Sequence, residues 1–583
     1  GAVAFFAGSR PRLNMQIDGR TSSYNELAFG TKSLWDMKQV EIYRGAQSYA
    51  QGRNAIAGAV VMTSNDPTQE WEGAAKLNMG NHRLAQTAAL ISGPVVKDEL
   101  AFRLSVDHQQ RETAVDLPHY DPVGNPRWFK ATNTRAKLLW TPSALPDLYS
   151  RLTFNHLNAR APQSETELQP NSPRYTPERP VFQTRSASTI WDIGYQLSEH
   201  WKWENKLVYT HFIHDRKTTS PFNTALPPNR RGVPARVDGN EFQIEPIVKY
   251  ENEKYRGLFG LFYFNAKQDE SVTMLNGRIA RTPITTNFKD KTKTKAAFGE
   301  ITFTPDIPFE LTLSARYEQE HHQRKGKSAM FSINRDKKYN VFLPKADIAW
   351  KINDDQRLGF KVGKGYNPGG AGVTFGVPYT SYEYDAEYVW NYELYHRWTS
   401  ADKRLRINSN LFYNDYKDMQ LPFTLGPNSI VIRNADKVVT YGAEINTEWQ
   451  ATEKLALNAG IGMLKTDIKR YPNSGIEGNK LARAPSFSGK VGANYRLLDH
   501  LEIGTNYSYN SSYYSTADNL ANGKVGHYDQ LDVYLAYDFK HARITLYADN
   551  VLNSRKDILL VPRSGDITRQ PERQIGLSTE LRF

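Results

Sequence analysis

The residues of this chain best equipped for chemistry are cations and aromatics set side by side. Arg10 lies in the turn Gly8-Ser9-Arg10-Pro11, and Tyr24-Asn25-Glu26-Leu27-Ala28-Phe29 follows a short strand-like segment. Further along come His119-Tyr120, Arg174-Tyr175, Arg230-Arg231, His321-His322 and Tyr513-Tyr514. An arginine pairs with an anionic chelate and a tyrosine stacks on its ring, so these sets suit non-covalent capture of a bulky anion. Taken singly, each pair is equally an ordinary solvated loop feature. Arg44 stands apart, because it closes the run Val40-Glu41-Ile42-Tyr43 and precedes Gly45. A guanidinium enclosed by other structure needs a carboxylate partner, ideally a bidentate one. Covalent and metal chemistry find no footing. Cys is 0, which removes thiolate nucleophiles, disulfides and zinc–thiolate sites together. His321-His322 has neither helical i, i+4 spacing nor a neighbouring acid set to make a zinc site, and neither a P-loop nor a G-x-S-x-G elbow occurs. Gly369-Gly370, after Tyr366-Asn367-Pro368, reads as turn chemistry.

The elements that must position these residues are strands. A soluble chain of 583 residues would divide into roughly three or more domains. The composition points elsewhere: 12% of residues are aromatic, mean hydropathy is −0.62, and no apolar run of about 18 residues can form a spanning helix. A closed barrel reconciles these facts, because alternate residues face lipid and lumen and the average looks soluble. From Trp71 onward the pattern has period 2. Ile575, Leu577, Thr579, Leu581 and Phe583 share one face, opposite Gln574, Gly576, Ser578, Glu580 and Arg582. Leu531, Val533, Leu535, Tyr537 and Phe539 likewise oppose Gln530, Asp532, Tyr534 and Asp538. Short links near 94–98, 143–147, 197–200, 352–355 and 451–454 alternate with long ones near 113–128, 159–185, 216–236, 270–289, 323–337, 367–384 and 421–429. Turns at one end and loops at the other are the habit of outer-membrane barrels, and the count is about 22 strands. A lumen that wide needs filling. Residues 1–66 supply the filling: Leu13–Ile17 running into Asp18-Gly19, Val40–Ile42, and Ala59–Met62 ending at Asn65-Asp66-Pro67 form a small mixed domain too thin for a core of its own. The net charge of +12 is scattered through strand-like segments, with no Lys/Arg block of five or more. It fits a surface facing lipopolysaccharide, or a lumen that draws anions, better than nucleic acid.

The stretch Val40-Glu41-Ile42-Tyr43-Arg44-Gly45-Ala46-Gln47-Ser48, continuing through Gly52, Ala55 and Gly58-Ala59-Val60, resembles the plug signature of TonB-dependent outer-membrane receptors, V-E-[VI]-x-R-G-P-x-S-x-x-x-G-x-x-A-x-G-G-x-[IV]. Ala46 stands for the usual proline, and Ala57 for the small residue before Gly58. Leu546-Tyr547-Ala548-Asp549-Asn550-Val551-Leu552 resembles the family's penultimate-strand signature, and the chain closes on an aromatic, Phe583, as such barrels do. The resemblance implies an all-β membrane protein: a 22-stranded antiparallel transmembrane barrel, 67–583, enclosing a mixed α/β plug, 1–66, whose first part lies outside this chain. It implies a bacterial outer-membrane receptor of the ferric-siderophore type, without enzymatic activity or an intrinsic cofactor, and with iron present only inside a bound chelate. The partners implied are the chelate, a TonB-type coupling protein of the inner membrane reached through the absent N-terminal segment, and outer-membrane lipid. Trp390-Asn391-Tyr392-Glu393 and Tyr441-Gly442-Ala443-Glu444 match the family's wall motifs, so Glu393 and Glu444 are the implied partners of Arg44 in a plug lock. Simple anchoring of the plug accounts for the same cluster. Phe6-Ala7-Gly8 replaces the usual I-R-G triplet, which leaves Arg10 or Arg12 to rebuild the second cation. Arg10, Tyr24, Asn25 and Phe29 fall at the plug apices, with the histidine, arginine and tyrosine pairs above in the outer loops. The haem motifs F-R-A-P and N-P-N-L are not matched by Asn367-Pro368-Gly369-Gly370; cobalamin, an oligosaccharide, or an uncoupled porin or adhesin barrel are the alternatives.

Overall fold

The computed structural model describes residues 11–51, 55–172, 176–275, 282–374, 376–426 and 429–583. Period-2 alternation builds 22 antiparallel strands that close on themselves, from Glu72–Gly80 round to Gln574–Arg582. The seam is a direct pairing of these two, with Leu577 opposite Met79. Closure matters because an open edge would leave backbone N–H and C=O groups unpaired in lipid. Which face is apolar decides the environment. Leu577 and Leu546 are about half exposed, as are Leu313, Phe342 and Ile348, so the apolar stripe lies on the outside and the alternate polar residues line the lumen. Aromatics mark the edges of this belt. Register puts Tyr209 opposite Phe242, Tyr317 opposite Phe342 and Tyr413 opposite Tyr441 at one level, while Trp140, Trp201, Trp350 and Trp449 ring the other. Eight residue steps separate Phe342 from Trp350 on one strand. At about 3.3 Å per residue and a tilt near 40° they span roughly 20 Å of height, close to the apolar band of an outer-membrane barrel.

Turns at the end nearest Trp350 are short, as at 197–200, 354–355 and 451–454. The opposite end carries the long loops 113–127, 218–234, 368–386, 511–527 and 550–573. One expectation is corrected here. The loops placed near 270–289, 323–337 and 421–429 are mostly strand: Tyr255–Leu275, Pro283–Phe303, Phe309–Lys327, Ser332–Asn353, Leu405–Gly426 and Ser429–Gln450. These run to about twice the 9–11 residues a membrane needs. Their upper halves carry exposed polar residues on the outward face, so the stretch reads as loop although the ladder continues.

Inside the barrel lies a small mixed sheet. Its elements are β1 (Leu13–Ile17), β2 (Arg20–Thr21), α1 (Tyr24–Phe29), β3 (Met37–Arg44), α2 (Ser48–Gln51) and β4 (Gly58–Ser64). The sheet order is β2-β1-β4-β3, with β1 parallel to β4 and β3 antiparallel to it. The β1–β2 turn has positive φ at both Asp18 and Gly19. A Cβ on Gly19 would sit 2.4 Å from Lys206 Nζ, the wall ammonium that donates to the Asp18 carbonyl at 2.8 Å. Glycine here therefore serves both the turn and the close approach of the wall. Apolar packing is divided among separate clusters in the lumen. The largest is formed by Phe182, Phe212, Val237, Val272, Phe288 and Phe331 at the loop end of the barrel.

Candidate ligand site and plug anchors

The site is built upward from α1. Ser23 caps the helix, its Oγ accepting from the Glu26 amide while the Glu26 carboxylate accepts from the Ser23 amide. That box turns the Glu26 side chain back under the helix, where Arg20 Nη2 donates to it at 2.7 Å. Both side chains are buried. Burial alone would raise the Glu26 carboxyl, but the Arg20 charge and hydrogen bond, helped by His214 and Lys32, hold it down to about 2. Lys32 Nζ donates to the Glu26 carbonyl at 2.5 Å, and burial draws its ammonium down to about 8. Ser23 Oγ also lies 3.2 Å from His214 Nε2 on the wall, tying the helix cap to the barrel.

Above this pair is a cavity of about 170 Å3, lined by Arg20, Tyr24 and Asn25 of the plug and by Phe212, Arg316 and His322 of the wall. Asn25 is buried, its Oδ1 has no hydrogen-bond partner among the described residues, and burial raises the Tyr24 hydroxyl. The wall side is charged: Arg324 bridges Glu270 at 3.0 Å and Asp290 at 2.6 Å, and His322 Nε2 meets Asp290 at 3.1 Å. The roof is apolar. Phe29 stacks flat on Phe182 with ring centroids 3.8 Å apart, and the hairpin Gly370–Val373 with Ser381–Tyr384 packs Val373 into the same cluster. Small ligand sites run to about 300–1,000 Å3. At about 170 Å3 the cavity is smaller than that, and it shares Phe212 and Val237 with the apolar cluster.

The plug is held to the wall by two sets of ion pairs of opposite polarity. In the expected sense, Arg44 pairs with Glu444, and Arg12 with the buried Glu387 while lying over the Tyr416 ring. The expected third member, Glu393, is not part of the Arg44 contact. It accepts from Lys361 Nζ at 3.1 Å, the residue directly opposite it on the next strand. The second set, which the sequence reasoning did not anticipate, places plug acids on wall cations. Asp36 takes a fork from Arg103 at 2.8 and 2.5 Å, Asp66 pairs with Lys137 at 3.1 Å and Arg151 at 2.9 Å, and Asp18 faces Arg135 at 3.9 Å. Lys137 and Arg135 lower Asp18 against the raising effect of its burial. The available signal was Asp18-Gly19 and Asn65-Asp66-Pro67, two turn acids in a domain too small to bury them alone.

The remaining predicted residues scatter. Arg10, Arg174 and Tyr175 lie outside the described residues, as does Ala7. Tyr24, Asn25, Phe29 and His322 converge on the cavity and its roof. His321 does not: it is on the barrel exterior, in line with Leu313 and Tyr317, and binds Asp336 at 2.6 Å. Arg230 pairs with Glu178 and the Tyr120 hydroxyl donates to the Arg179 carbonyl, so these two stitch outer loops together, while Arg231 donates to the Leu226 carbonyl at 2.9 Å within its own loop. His119 is exposed on its loop. The Tyr513 hydroxyl donates to the Ile558 carbonyl, and Lys524 Nζ lies 5.5 Å over the Tyr514 ring. Among the described residues no group of three or more His, Asp or Glu is disposed to hold a metal ion.

The model of the TonB dependent receptor-like β-barrel family matches residues 133–553, well over half of the chain. The chain belongs to this family. The receptor is thus an outer-membrane barrel, and its family is one of receptors rather than enzymes. Over 306 residues it is 22% identical to the pesticin receptor of Yersinia pestis, covering 50% of this chain and 44% of that protein, so the receptor spans about half the length of the curated relatives it matches. Its fold is similar to that of the ferric yersiniabactin uptake receptor of Yersinia pestis, with a TM-score of 0.83 at 18% identity over 98% of this chain and 89% of that one. The siderophore receptor PiuA of Acinetobacter baumannii has a TM-score of 0.77 at 14% identity, again over 98% and 89%.

Proposed function

We propose that this receptor captures a ferric siderophore at the cell surface and imports it when a TonB-type coupling protein moves the plug. The observation that carries the reading is the convergence of Tyr24 and Asn25 of the plug with Arg316 and His322 of the wall on one cavity bordered by the apolar cluster through Phe212 and Val237. Iron enters only as part of the cargo. A chelate with anionic edges and a ring system would find cations, a phenol and an unpaired amide carbonyl there, with Phe29 and Phe182 displaced to admit it. The plug acids on wall cations, together with Arg44–Glu444 and Arg12–Glu387, hold the closed state until force is applied. Similarity to receptors named for ferric yersiniabactin and for siderophores supports this cargo class over cobalamin, haem or a glycan.

The test is tryptophan fluorescence of the purified receptor in detergent, titrated with a panel of ferric siderophores, haem and cobalamin. One ferric chelate is expected to quench saturably at sub-micromolar concentration, with binding about tenfold weaker in Asn25→Ala, the magnitude of one lost buried polar contact. Silence towards every iron chelate, with a response to haem or cobalamin, would move the assignment to that nutrient.

A further inference from the structure

A second cavity, larger than the first, lies beneath it between plug and wall. It holds about 520 Å3 and is bordered by Asp18, Gly19 and residues 61–64 of the plug and by Asp192, Lys206 and Ile247 of the wall. The strand Trp201–Lys217 shows the stacking: Lys206 lines the lower cavity, while Val208, Phe212 and His214, nearer the loops, line the upper. Four residues border both, Thr21 of the plug with Gln243, Phe262 and Arg316 of the wall, and so form the partition. Arg316 is its charged member. The guanidinium sits 5.3 Å and 5.1 Å from the centroids of the Phe262 and Phe298 rings, and its Nε donates to Glu318 at 3.2 Å. The Tyr366 hydroxyl donates to the other Glu318 oxygen at 2.7 Å, which fixes the carboxylate that holds the arginine.

Size and freedom of movement distinguish this side of the plug. The lower cavity falls within the range of about 300–1,000 Å3 that small-ligand sites occupy, which the upper one does not reach. Arg316 leaves its two rings by side-chain rotation, with no movement of the strand that carries it. The α2 side of the plug offers no such step. There Ser48 Oγ donates to the Tyr366 carbonyl at 3.3 Å and accepts from the Tyr366 amide at 3.1 Å, and a Cβ added to Gly365 would lie 2.8 Å from the Ala46 Cβ. Charge selects the occupant. The wall side of the lower cavity presents four cations, Lys137, Arg151, Lys206 and Arg316, against two carboxylates, Asp192 and Glu245. We infer, resting on the uptake reading above, that the lower cavity is a transit site for an anionic chelate and that Arg316 passes the cargo into it from the upper cavity. An arginine fits the task, because its planar fork grips an anionic edge while its face stays on an aromatic ring.

The chain has no cysteine, so one introduced thiol can be filled after folding. Ile247→Cys places it in the lower cavity alone. Asn506→Cys, opposite Asp532 on the polar face of the strand Leu501–Asn510, places it eleven strands away round the closed barrel. Cells carrying the full chain are treated with N-benzylmaleimide, the unsubstituted receptor alongside, and the probe is the ferric chelate that quenches in the titration above. Equilibrium binding to both labelled receptors is expected to stay within about twofold of the parent's. The uptake rate at saturating chelate is expected to fall about tenfold or more with the label at Ile247→Cys and to hold with the label at Asn506→Cys. Arg316→Gln should lower the saturated rate about tenfold as well as weakening binding, an effect that a purely binding role would not produce. Undiminished uptake by the labelled Ile247→Cys receptor, an equal block from Asn506→Cys, or an unchanged saturated rate in Arg316→Gln would overturn the proposal. Should mass spectrometry show the thiol of Ile247→Cys unreacted, Ile247→Trp fills the same space with the same expectation, and undiminished uptake there is equally decisive. Binding by the parent receptor tests the cargo reading on its own: if haem or cobalamin responds in place of an iron chelate, that nutrient becomes the probe for uptake, so the two readings fail separately.

Discussion

Glu26 shows what enclosure does to a single carboxylate. Its capping box aims it at Arg20, and because its folded value lies far below the ordinary 4.5, the resulting stabilisation is complete above about pH 4.5 and lost as pH falls towards about 2. Denaturant midpoints of plug release should decline as pH falls from about 4.5 towards 2. Arg20→Met, which strands a buried carboxylate, should lower stability by about 3 kcal/mol at pH 7 and by much less at pH 3, where Glu26 takes up a proton. Of the candidate site, single residues were legible where local chemistry decides them. Arg44 needed a carboxylate and has Glu444. Glu393 was misassigned because its partner is set by register, and no property of residues 390–394 discloses that Lys361 lies across from it.

At the scale of elements, the plug is held by contacts of unequal worth. The Arg44 side chain is 64% exposed, so its pairing with Glu444 is screened and worth under about 1 kcal/mol. Asp36 and Arg103 are almost wholly buried, and removing Arg103 takes away the cation that Asp36 is paired with. Arg103→Met should therefore loosen the plug by about 3 kcal/mol, while Arg44→Ala shifts it by less than 1, as read from the denaturant dependence of Trp35 emission. The acids of these anchors were visible as turn residues, but their partners are inward positions on Leu100–Glu112, Trp128–Trp140 and Leu148–Pro162, and parity along a strand is known only once pairing is fixed.

For the whole molecule, two structures of different origin share one lumen. The barrel closes a continuous ladder; the plug has a four-stranded sheet and its wall contacts. Unfolding should accordingly take two steps, plug before barrel. Trp35, the one tryptophan in residues 1–66, donates to the Ala89 carbonyl at 3.2 Å and packs on Ala74, Ala88 and Leu90 of the wall. Its emission should change in the first step, and Trp35→Phe should erase that phase while leaving the barrel transition in place; a single coincident transition in wild type would contradict the division. Architecture was legible because period, link length and strand number are properties of neighbouring residues. The cavity and its roof were not, since they join positions as far apart as Phe29 and Phe182 through closure of the barrel.

The opposed polarity of the plug acids has a consequence for the open conduit. When Asp18, Asp36 and Asp66 leave with the plug, the wall they vacate keeps Arg103, Arg135, Lys137, Arg151 and Lys206 against Glu72, Asp107 and Asp192. That side of the wall thus acquires a local positive potential only while the conduit is open, whereas Glu444, further round the wall, loses Arg44 in the same step. A negatively charged passenger would then be drawn down the bore by the same groups that had locked the door.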